Sequence, residues 1–499
     1  MIPKILVYLE NGPIQFGISK YIKENLPCEL FGVINTNKGK KFYETQKILK
    51  FDKYWFIRDY LINNNNAEPD IEYLKKIEKK YGINLWKAIF SDAIFLEFNK
   101  FHKFSKDEIL TNIEQLCKMY EKILEQYEPD FLVIRITDAI ADHLLYLMCK
   151  VKNIKVLILN FTRLGYRNFI SSEVDSLDKD AFLNYEKEKL TEEEVIQLVK
   201  GFSKQQKSLR KNYRNSFIEW LKASFYFFQV ISSRNYQKYY AHKGRSISKI
   251  MINELKFKIR LKKHQKFLNK NAIINLNYNE KYVYFPLGSD PERSTLIPTP
   301  YHANQLETIK NISRSLPIDY QLYVKEHPIQ IIWAWRDLDF YKQILELPNV
   351  KLIHPSVDNE KLLKNTSLVM TLVGTTAMEA AVYKIPSIVF GEVLFSSLPS
   401  VFKVENIKEL PILIKNAINT KVNFDDVNKF MNIITSNSFE YDDQELINNI
   451  NYDLFYNGYI FDIDIKIEKM KKSLEKNKES LELLGKEYLV KIKKHMNTL

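Results

Sequence analysis

In the first third of the chain, short apolar runs alternate with longer segments of helical periodicity. Four runs are continuous enough for buried strands, at 4–9, 29–34, 131–134 and 155–159. Between them, apolar residues recur every three or four positions, as in the segments 14–25 and 70–127. Strands alternating with helices are typical of a parallel, doubly wound sheet. The pattern therefore predicts a Rossmann-like domain in residues 1–170.

The same alternation returns after residue 281 and continues to about residue 420. Helical periodicity fills 302–315 and 376–383. The candidate strands are 282–286, 320–325, 350–353, 368–372 and 387–390. A second Rossmann-like domain follows from this pattern.

The two remaining segments have a different composition. Residues 201–270 contain many Lys, Arg, Tyr and Phe residues at helical spacing, and residues 465–499 are rich in Lys and Glu. We therefore predict an α/β protein with two Rossmann-like domains, a helical insertion and a C-terminal helical extension. The predicted domain limits are 1–200, 201–275, 276–455 and 456–499.

The net charge indicates the type of binding partner, and the cysteine content indicates the cellular compartment. The net charge of +13 indicates an acidic partner, such as a phosphorylated or carboxylated substrate, anionic lipid or nucleic acid. Three widely spaced cysteines indicate a reducing compartment and no disulfide framework. No apolar run reaches the roughly 18 residues of a membrane-spanning helix. We expect a cytoplasmic protein, with peripheral attachment to the inner face of the membrane as an option.

The first candidate motif is Lys325-Glu326-His327-Pro328, at the end of a predicted strand. His327 can donate a hydrogen bond to a phosphate oxygen, and Lys325 can supply positive charge. Pro328 restricts the backbone immediately after His327. The alternative is an ordinary turn with an incidental histidine.

The second motif is Gly374-Thr375-Thr376, between a strand and a predicted helix. Such a turn offers backbone N–H groups, two hydroxyls and the positive end of a helix dipole to a phosphate. Glu379, one helical turn further, can face the same cleft and hold a ribose hydroxyl or a base amino group. The alternatives are simple capping by threonine and an ordinary first-turn glutamate.

The third motif is the loop Asp290-Pro291-Glu292-Arg293-Ser294-Thr295. A carboxylate of Asp290 or Glu292 can act as general base or nucleophile, and Arg293 can bind an acidic sugar. A solvated turn is the alternative. Because carboxyl ends of parallel strands share one edge of a sheet, we expect all three motifs to form one site.

The first domain offers weaker candidates after its own strands. Arg163 and Arg167 suit a carboxylate or phosphate of a substrate, and Asp138 follows the strand 131–134. Each can equally belong to a surface loop. The sequence lacks a Gly-x-Gly-x-x-Gly after the first strand, a Walker loop and a His/Cys cluster, so no dinucleotide cofactor and no metal are expected.

These motifs resemble those of the capsule polysaccharide biosynthesis family, which includes bacterial Kdo transferases and has the GT-B glycosyltransferase architecture. The matching features are the acidic loop at 286–294, the Lys-Glu-His-Pro turn, and Gly-Thr-Thr-Ala-Met-Glu-Ala (374–380) followed by Lys-Ile-Pro-Ser-Ile-Val-Phe-Gly (384–391). The resemblance covers roughly a hundred residues from 281 to 391. The His-Pro pair and the paired hydroxyl residues also resemble those of GT-B sialyltransferases.

The resemblance implies transfer of Kdo or a sialic-acid-like nonulosonate from a CMP-sugar to a capsule or lipopolysaccharide acceptor, without a cofactor or a metal ion. His327, Lys325, Gly374, Thr375 and Thr376 would hold the CMP phosphate. The nucleoside would be bound by Glu379, Glu326 and Pro328, the substrate by Arg293, Arg163, Arg167 and Asp138, and catalysis would use Glu292 or Asp290. Kdo transferases usually carry Gln and Asp where this chain has Gly288 and Glu292, which leaves the donor sugar open.

Other functions remain open from the sequence. A CDP-alditol phosphotransferase of the teichoic-acid type also has a His-Pro turn and releases CMP, and a UDP-sugar enzyme can share the GT-B shape. A non-catalytic assembly subunit could keep the fold. The basic aromatic stretch 201–270 is most simply a helical linker. It can also bind anionic lipid, and less readily nucleic acid, which we do not expect as a partner.

Overall fold

A computed structural model describes residues 2–62, 68–95, 100–183, 185–186, 190–200, 216–231, 238–289, 293–327 and 336–497. The chain forms two compact units. The first contains residues 1–179, 200–247 and 438–499, and the second contains 180–199 and 248–437. The predicted tail 456–499 thus lies in the first unit, and the predicted insertion 201–275 is shared between the two.

The first unit is built on a seven-stranded sheet of order β13-β6-β5-β4-β1-β2-β3. Strands β1 to β5 are parallel, and β6 and β13 are antiparallel additions at one edge. The strands are β1 Lys4–Glu10, β2 Glu29–Asn35, β3 Lys53–Phe56, β4 Phe131–Arg135, β5 Lys155–Phe161, β6 Arg167–Ser171 and β13 Phe439–Glu440.

Helices cover both faces of this sheet, as a buried parallel sheet requires. They are α1 Pro13–Asn25, α2 Lys40–Thr45, α3 Ile57–Ile62, α4 Ile71–Tyr81, α5 Leu85–Ile89, α6 Lys106–Gln126, α7 Ile140–Val151, α9 Phe217–Ile231, α18 Asp443–Leu454, α19 Ile467–Lys476 and α20 Lys478–Met496. Two core clusters, one on each face, bury the apolar strand residues, among them Leu6 and Leu132 in one and Ile5 and Val133 in the other.

The C-terminal extension packs closely on the first unit. Asn477 separates α19 from α20, so the predicted C-terminal helical extension contains two helices. Gly485 faces Tyr21 of α1, and a Cβ atom at residue 485 would lie 2.6 Å from the Tyr21 Cβ atom. Glycine is therefore the residue that permits this close helix contact.

The second unit is built on a six-stranded, fully parallel sheet of order β12-β11-β10-β7-β8-β9. Its strands are β7 Tyr282–Pro286, β8 Gln321–Lys325, β9 Val350–Ile353, β10 Leu368–Thr371, β11 Ser387–Val389 and β12 Val401–Lys403. Its helices are α8 192–200, α10 Ile247–Asn271, α11 Arg293–Leu296, α12 Gln305–Ser315, α13 Leu338–Leu345, α14 Asn359–Asn365, α15 Thr376–Val382, α16 Leu410–Ile418 and α17 Phe424–Ser436.

Both sheets have the strand order of a doubly wound Rossmann fold, in which three strands lead outward and the chain then returns to the other side. The predicted α/β class with two Rossmann-like domains is confirmed, as are its helical additions. No helix among the described residues is both long enough and apolar enough to cross a bilayer.

Candidate functional site

The order of the second sheet reverses between β7 and β10, which pair directly. In open α/β sheets, ligands bind at the carboxyl ends of the strands beside such a reversal. The loops that leave β7, β8 and β10 begin at this edge, and they carry the three motifs singled out from the sequence. The architecture thus marks this edge as the candidate site.

Lys325, the last residue of β8, is buried, with 6% of its surface exposed. Its Nζ atom donates to the backbone oxygen of Val357 at 2.6 Å and lies 3.4 Å from Asn359 Oδ1. Burial lowers the pKa of Lys325 to about 8, although Asp358 and Glu379 oppose this shift. Near neutral pH the Lys325 side chain is therefore mostly protonated, and it loses its positive charge at mildly alkaline pH.

Asn359, at the start of α14, connects Lys325 with Glu379 and Tyr284. Its Oδ1 atom accepts a hydrogen bond from the Tyr284 hydroxyl at 2.6 Å, and its side chain also bonds the Glu379 carboxyl group. Burial raises the pKa of Glu379, while bonds from Thr375 and Asn359 and the charge of Lys325 act in the opposite direction. The predicted residues Lys325, Glu379 and Thr375 are therefore brought together by one polar network.

The turn after β10 requires glycine at position 374. The Gly374 N–H donates to Thr371 Oγ1 at 3.1 Å, and a Cβ atom at residue 374 would lie 2.6 Å from that oxygen. Thr375 and Thr376 follow, both partly exposed, and α15 begins at Thr376. The Thr375 side chain does not cap this helix, and its hydroxyl lies 3.4 Å from Glu379 Oε1. The contact is weak at this distance, so the Thr375 hydroxyl can instead donate to a ligand oxygen, such as that of a phosphate.

Glu326 is fully buried and its carboxylate is used within the protein. One oxygen accepts from Arg336 Nη1 at 2.5 Å and from the backbone N–H of His327, and the other accepts from the Tyr341 hydroxyl at 2.5 Å. The predicted contact of Glu326 with a nucleoside is therefore replaced here by internal bonds. His327 itself is partly exposed at the end of this segment, and Pro328 lies outside the described residues.

Arg336 extends this buried pair to the loop after β7. Its Nη2 atom donates to the backbone oxygen of Gly288, and the Gly288 N–H donates to Gln305 Oε1 at 2.8 Å. Gly288 and Ser289 thereby lie one or two residues before Asp290 and three or four before Glu292, and both acidic residues lie outside the described residues. Arg293 begins α11 on the far side and is partly exposed. The buried pair thus supports the backbone that leads into the candidate catalytic loop.

The candidates in the first unit have internal partners. Arg167 lies in β6 and donates from Nε and Nη2 to the hydroxyl and backbone oxygen of Ser438, both at 2.9 Å, and from Nη1 to Glu440 at 3.0 Å. Arg163 Nη2 lies 3.6 Å from Asp175 Oδ1. Asp138 follows β4, and its N–H donates to the Asp142 carboxylate at 3.0 Å. In this structure Arg167 joins β6 to β13, and its role in substrate binding stays a prediction.

Sequence reasoning missed Tyr284, Asn359, Arg336, Tyr341 and Gln305. A signal existed only for Tyr284, because a tyrosine inside a buried strand needs a partner for its hydroxyl. The other four lie in helices or loops whose local sequence is unremarkable. Among the described residues, no group of three or more His, Cys, Asp or Glu could hold a metal ion.

The solved structures that resemble this chain do so weakly. UDP-GlcNAc 2-epimerase from Methanocaldococcus jannaschii shares 14% identity over 84% of this chain and 94% of its own, with a TM-score of 0.24. KpsC beta Kdo 2,7 transferase from Thermosulfurimonas dismutans shares 11% identity over 79% of this chain and 97% of its own, with a TM-score of 0.32. Similarities at this level carry no argument about activity.

Comparison with curated protein sequences gives no match. The family model described as "Capsule polysaccharide biosynthesis protein" matches residues 189–398, a range that contains all three motifs and the polar network around Asn359. The resemblance of this chain to the capsule polysaccharide biosynthesis family is therefore confirmed, and it extends over residues 189–398.

Proposed function

We propose that the chain is a glycosyltransferase of capsule biosynthesis that moves an acidic sugar, Kdo or a sialic-acid-like nonulosonate, from a CMP-sugar to a surface-glycan acceptor. The observation that carries this proposal is the polar network of Lys325, Asn359, Glu379 and Thr375 at the reversal point of the sheet, within the range of the family match. Such a network suits a phosphate and a nucleoside at adjacent positions.

The phosphate would be bound by groups that do not require a metal ion. Thr375 and Thr376 can donate their hydroxyls, Gly374 allows close approach of the backbone, and His327 and Lys325 can add donors from the neighbouring strand. Donors arranged before the reaction can stabilise the negative charge that accumulates on CMP as it leaves. Glu379 would accept hydrogen bonds from the nucleoside.

The transfer itself needs a carboxylate near the anomeric carbon. In the inverting reaction, Glu292 or Asp290 takes the proton of the acceptor hydroxyl as that oxygen bonds the anomeric carbon and the bond to the CMP phosphate breaks. In the retaining reaction, one carboxylate first bonds the anomeric carbon as the bond to the CMP phosphate breaks. The acceptor oxygen then displaces this carboxylate, and the acceptor proton passes to the other carboxylate of the loop. Both routes release CMP, and both require a carboxylate of the loop after β7 to lie near the anomeric carbon.

Glu326 would serve this site as a positioning residue. Its bonds to Arg336, Tyr341 and the His327 N–H fix the end of β8, and Arg336 fixes the Gly288 carbonyl. The Glu326–Arg336 pair therefore connects the candidate catalytic loop with His327, the candidate hydrogen-bond donor to the phosphate. This role replaces the nucleoside contact that the resemblance implied for Glu326.

Calorimetric titration of the purified chain with CMP, UMP and inorganic phosphate tests the nucleotide site. The proposal predicts that CMP binds, that UMP binds more weakly because uracil lacks the amino group from which Glu379 can accept a hydrogen bond, and that phosphate, which lacks the nucleoside, binds more weakly than either. Equal affinity for UMP would point instead to a UDP-sugar enzyme.

The affinity for CMP will fall at alkaline pH because Lys325 loses its proton there. The CMP phosphate remains a dianion above its second pKa of about 6, so Lys325 dominates the change. With a Lys325 pKa of about 8, raising the pH from about 7.5 to about 9.5 lowers the protonated fraction of Lys325 about 25-fold, so binding should weaken by up to that factor. Lys325→Met should bind weakly at both values. The exposed residue Lys281 provides the matched control, Lys281→Met, and a wild-type affinity that is unchanged at about pH 9.5 would contradict this role.

A further inference from the structure

Helix α10 is held on the second unit by one face of its C-terminal half. His264 and Leu268 are buried there, and the rings of His264 and Phe267 contact the ring of Tyr341 at centroid distances of 5.9 and 6.2 Å. Asn269 adds a hydrogen bond to His354 at 3.0 Å. These contacts fix which side of the helix faces outward.

The opposite face exposes large apolar side chains. Met251, Ile252, Leu255 and Ile259 are 58%, 52%, 62% and 56% exposed, respectively. Their spacing of one, four and eight residues from Met251 places them within about 100° of the helix circumference. The buried residues His264 and Leu268 lie on the other side by the same count. An apolar stripe of this size on a charged protein marks an interaction surface.

Lysines extend and flank this stripe. Lys262 and Lys266 continue it along the same face, Lys256 and Lys263 lie on one flank, and Lys258 lies on the other, and all five are exposed. Across residues 247–271 there are eight Lys or Arg residues and a single acid, Glu254. The surface therefore combines exposed apolar side chains with a concentrated positive charge.

We propose that this face of α10 binds the surface of a membrane that contains anionic lipid. The apolar stripe would enter the region between headgroups and acyl chains, and the lysines would contact lipid phosphates. A nucleic acid would use the lysines but leave the four apolar side chains in water, and a neutral protein surface would leave the lysines unpaired. Because the apolar stripe and the lysines lie on one face, anionic lipid is the favoured partner. This inference does not depend on which sugar donor the enzyme uses.

Helix α9 also exposes apolar side chains, notably Phe217, Leu221 and Phe225. It carries one lysine and one glutamate, so its charge does not distinguish among partners. The proposal therefore concerns α10, and α9 supplies a comparison for the experiment.

Co-sedimentation of the full chain with lipid vesicles tests the proposal. Wild-type protein should bind vesicles of mixed phosphatidylglycerol and phosphatidylcholine, bind pure phosphatidylcholine weakly, and be partly released by high salt. Leu255→Ser with Ile259→Ser should weaken binding about 100-fold, and Lys262→Ala with Lys266→Ala about 25-fold.

Matched controls lie on helix α16 of the same unit and just after it. Ile412, which is 63% exposed, gives Ile412→Ser, and the exposed lysines give Lys415→Ala with Lys421→Ala. These variants should bind as wild type, and circular dichroism should show that every variant is folded. The proposal is overturned if the wild-type protein does not bind anionic vesicles. It is also overturned if the α10 variants bind as wild type while Phe217→Ser with Phe225→Ser binds more weakly. A higher affinity for a nucleic-acid homopolymer than for anionic vesicles would overturn it as well.

Discussion

Replacing Glu292 by Gln should lower the rate of CMP release by about 10²- to 10⁴-fold, the usual contribution of a positioned general base. The amide keeps the size and hydrogen-bonding capacity of the side chain but cannot take the acceptor proton or form a covalent intermediate. CMP affinity should stay close to that of wild type, because the phosphate would be bound by groups after β8 and β10. Steady-state assays with a CMP-sugar donor, together with calorimetry, measure both quantities.

Asp290→Asn separates the two carboxylates of the loop. We expect a clearly smaller loss of rate if Glu292 is the catalytic residue and the reverse order if Asp290 is. Glu307→Gln, which alters an exposed carboxylate on α12, is the control and should leave the rate unchanged. If both loop variants turn over as fast as wild type, the catalytic carboxylate lies elsewhere.

Replacing Arg336 by Met should destabilise the protein by about 3–5 kcal/mol, as is usual when one partner of a buried ion pair is removed. The Glu326 and Arg336 side chains are 0% and 4% exposed, so the remaining Glu326 carboxylate would be buried without its cation. The Gly288 carbonyl would also lose a donor. Chemical denaturation measures the free energy of unfolding, and turnover should fall even under conditions in which the variant is folded.

An exposed ion pair of the same unit provides the control for this loss. Lys281 Nζ lies 2.7 Å from Asp319, with 61% and 52% of the two side chains exposed. Asp319→Asn should leave the free energy of unfolding nearly unchanged, because water screens both charges. Adding Glu326→Leu to Arg336→Met should restore much of the stability but not the activity, since the buried charge is removed while Gly288 remains unsupported. A loss of activity that disappears with the restored stability would argue against a positioning role.

The second sheet was predictable because its strands are buried on both faces. Strands of a fully parallel sheet appear as continuous apolar runs, and four of them begin where the sequence predicted, with the fifth, β8, beginning one residue later. Strands β6, β12 and β13 were missed for a different reason. Strand β13 has two residues and pairs with β6 across about 270 residues of chain, with Arg167 bonding Ser438 and Glu440. No local pattern records such a pairing.

The site was predictable to the extent that its residues follow strands. Lys325 and Thr375 were selected because they come directly after apolar runs, and the structure brings them together around Glu379. Asn359 and Arg336 could not be found in this way, because their bonds reach 34 and 48 residues along the chain, to Lys325 and Gly288 respectively. For the same reason the sequence did not indicate that Glu326 is fully bonded within the protein.

Nucleotide release by the purified chain, measured over a panel of donors, separates the possible donor classes. The panel contains CMP-Kdo, CMP-sialic acids, CDP-glycerol and UDP-sugars, and His327→Ala is assayed beside wild type. We expect CMP release from one acidic CMP-sugar, and we expect this release to be strongly reduced in His327→Ala. Release of CMP from CDP-glycerol alone, or of UDP from UDP-sugars alone, would contradict the proposed donor class, and CMP-sugar turnover unaffected in His327→Ala would contradict the assignment of the site.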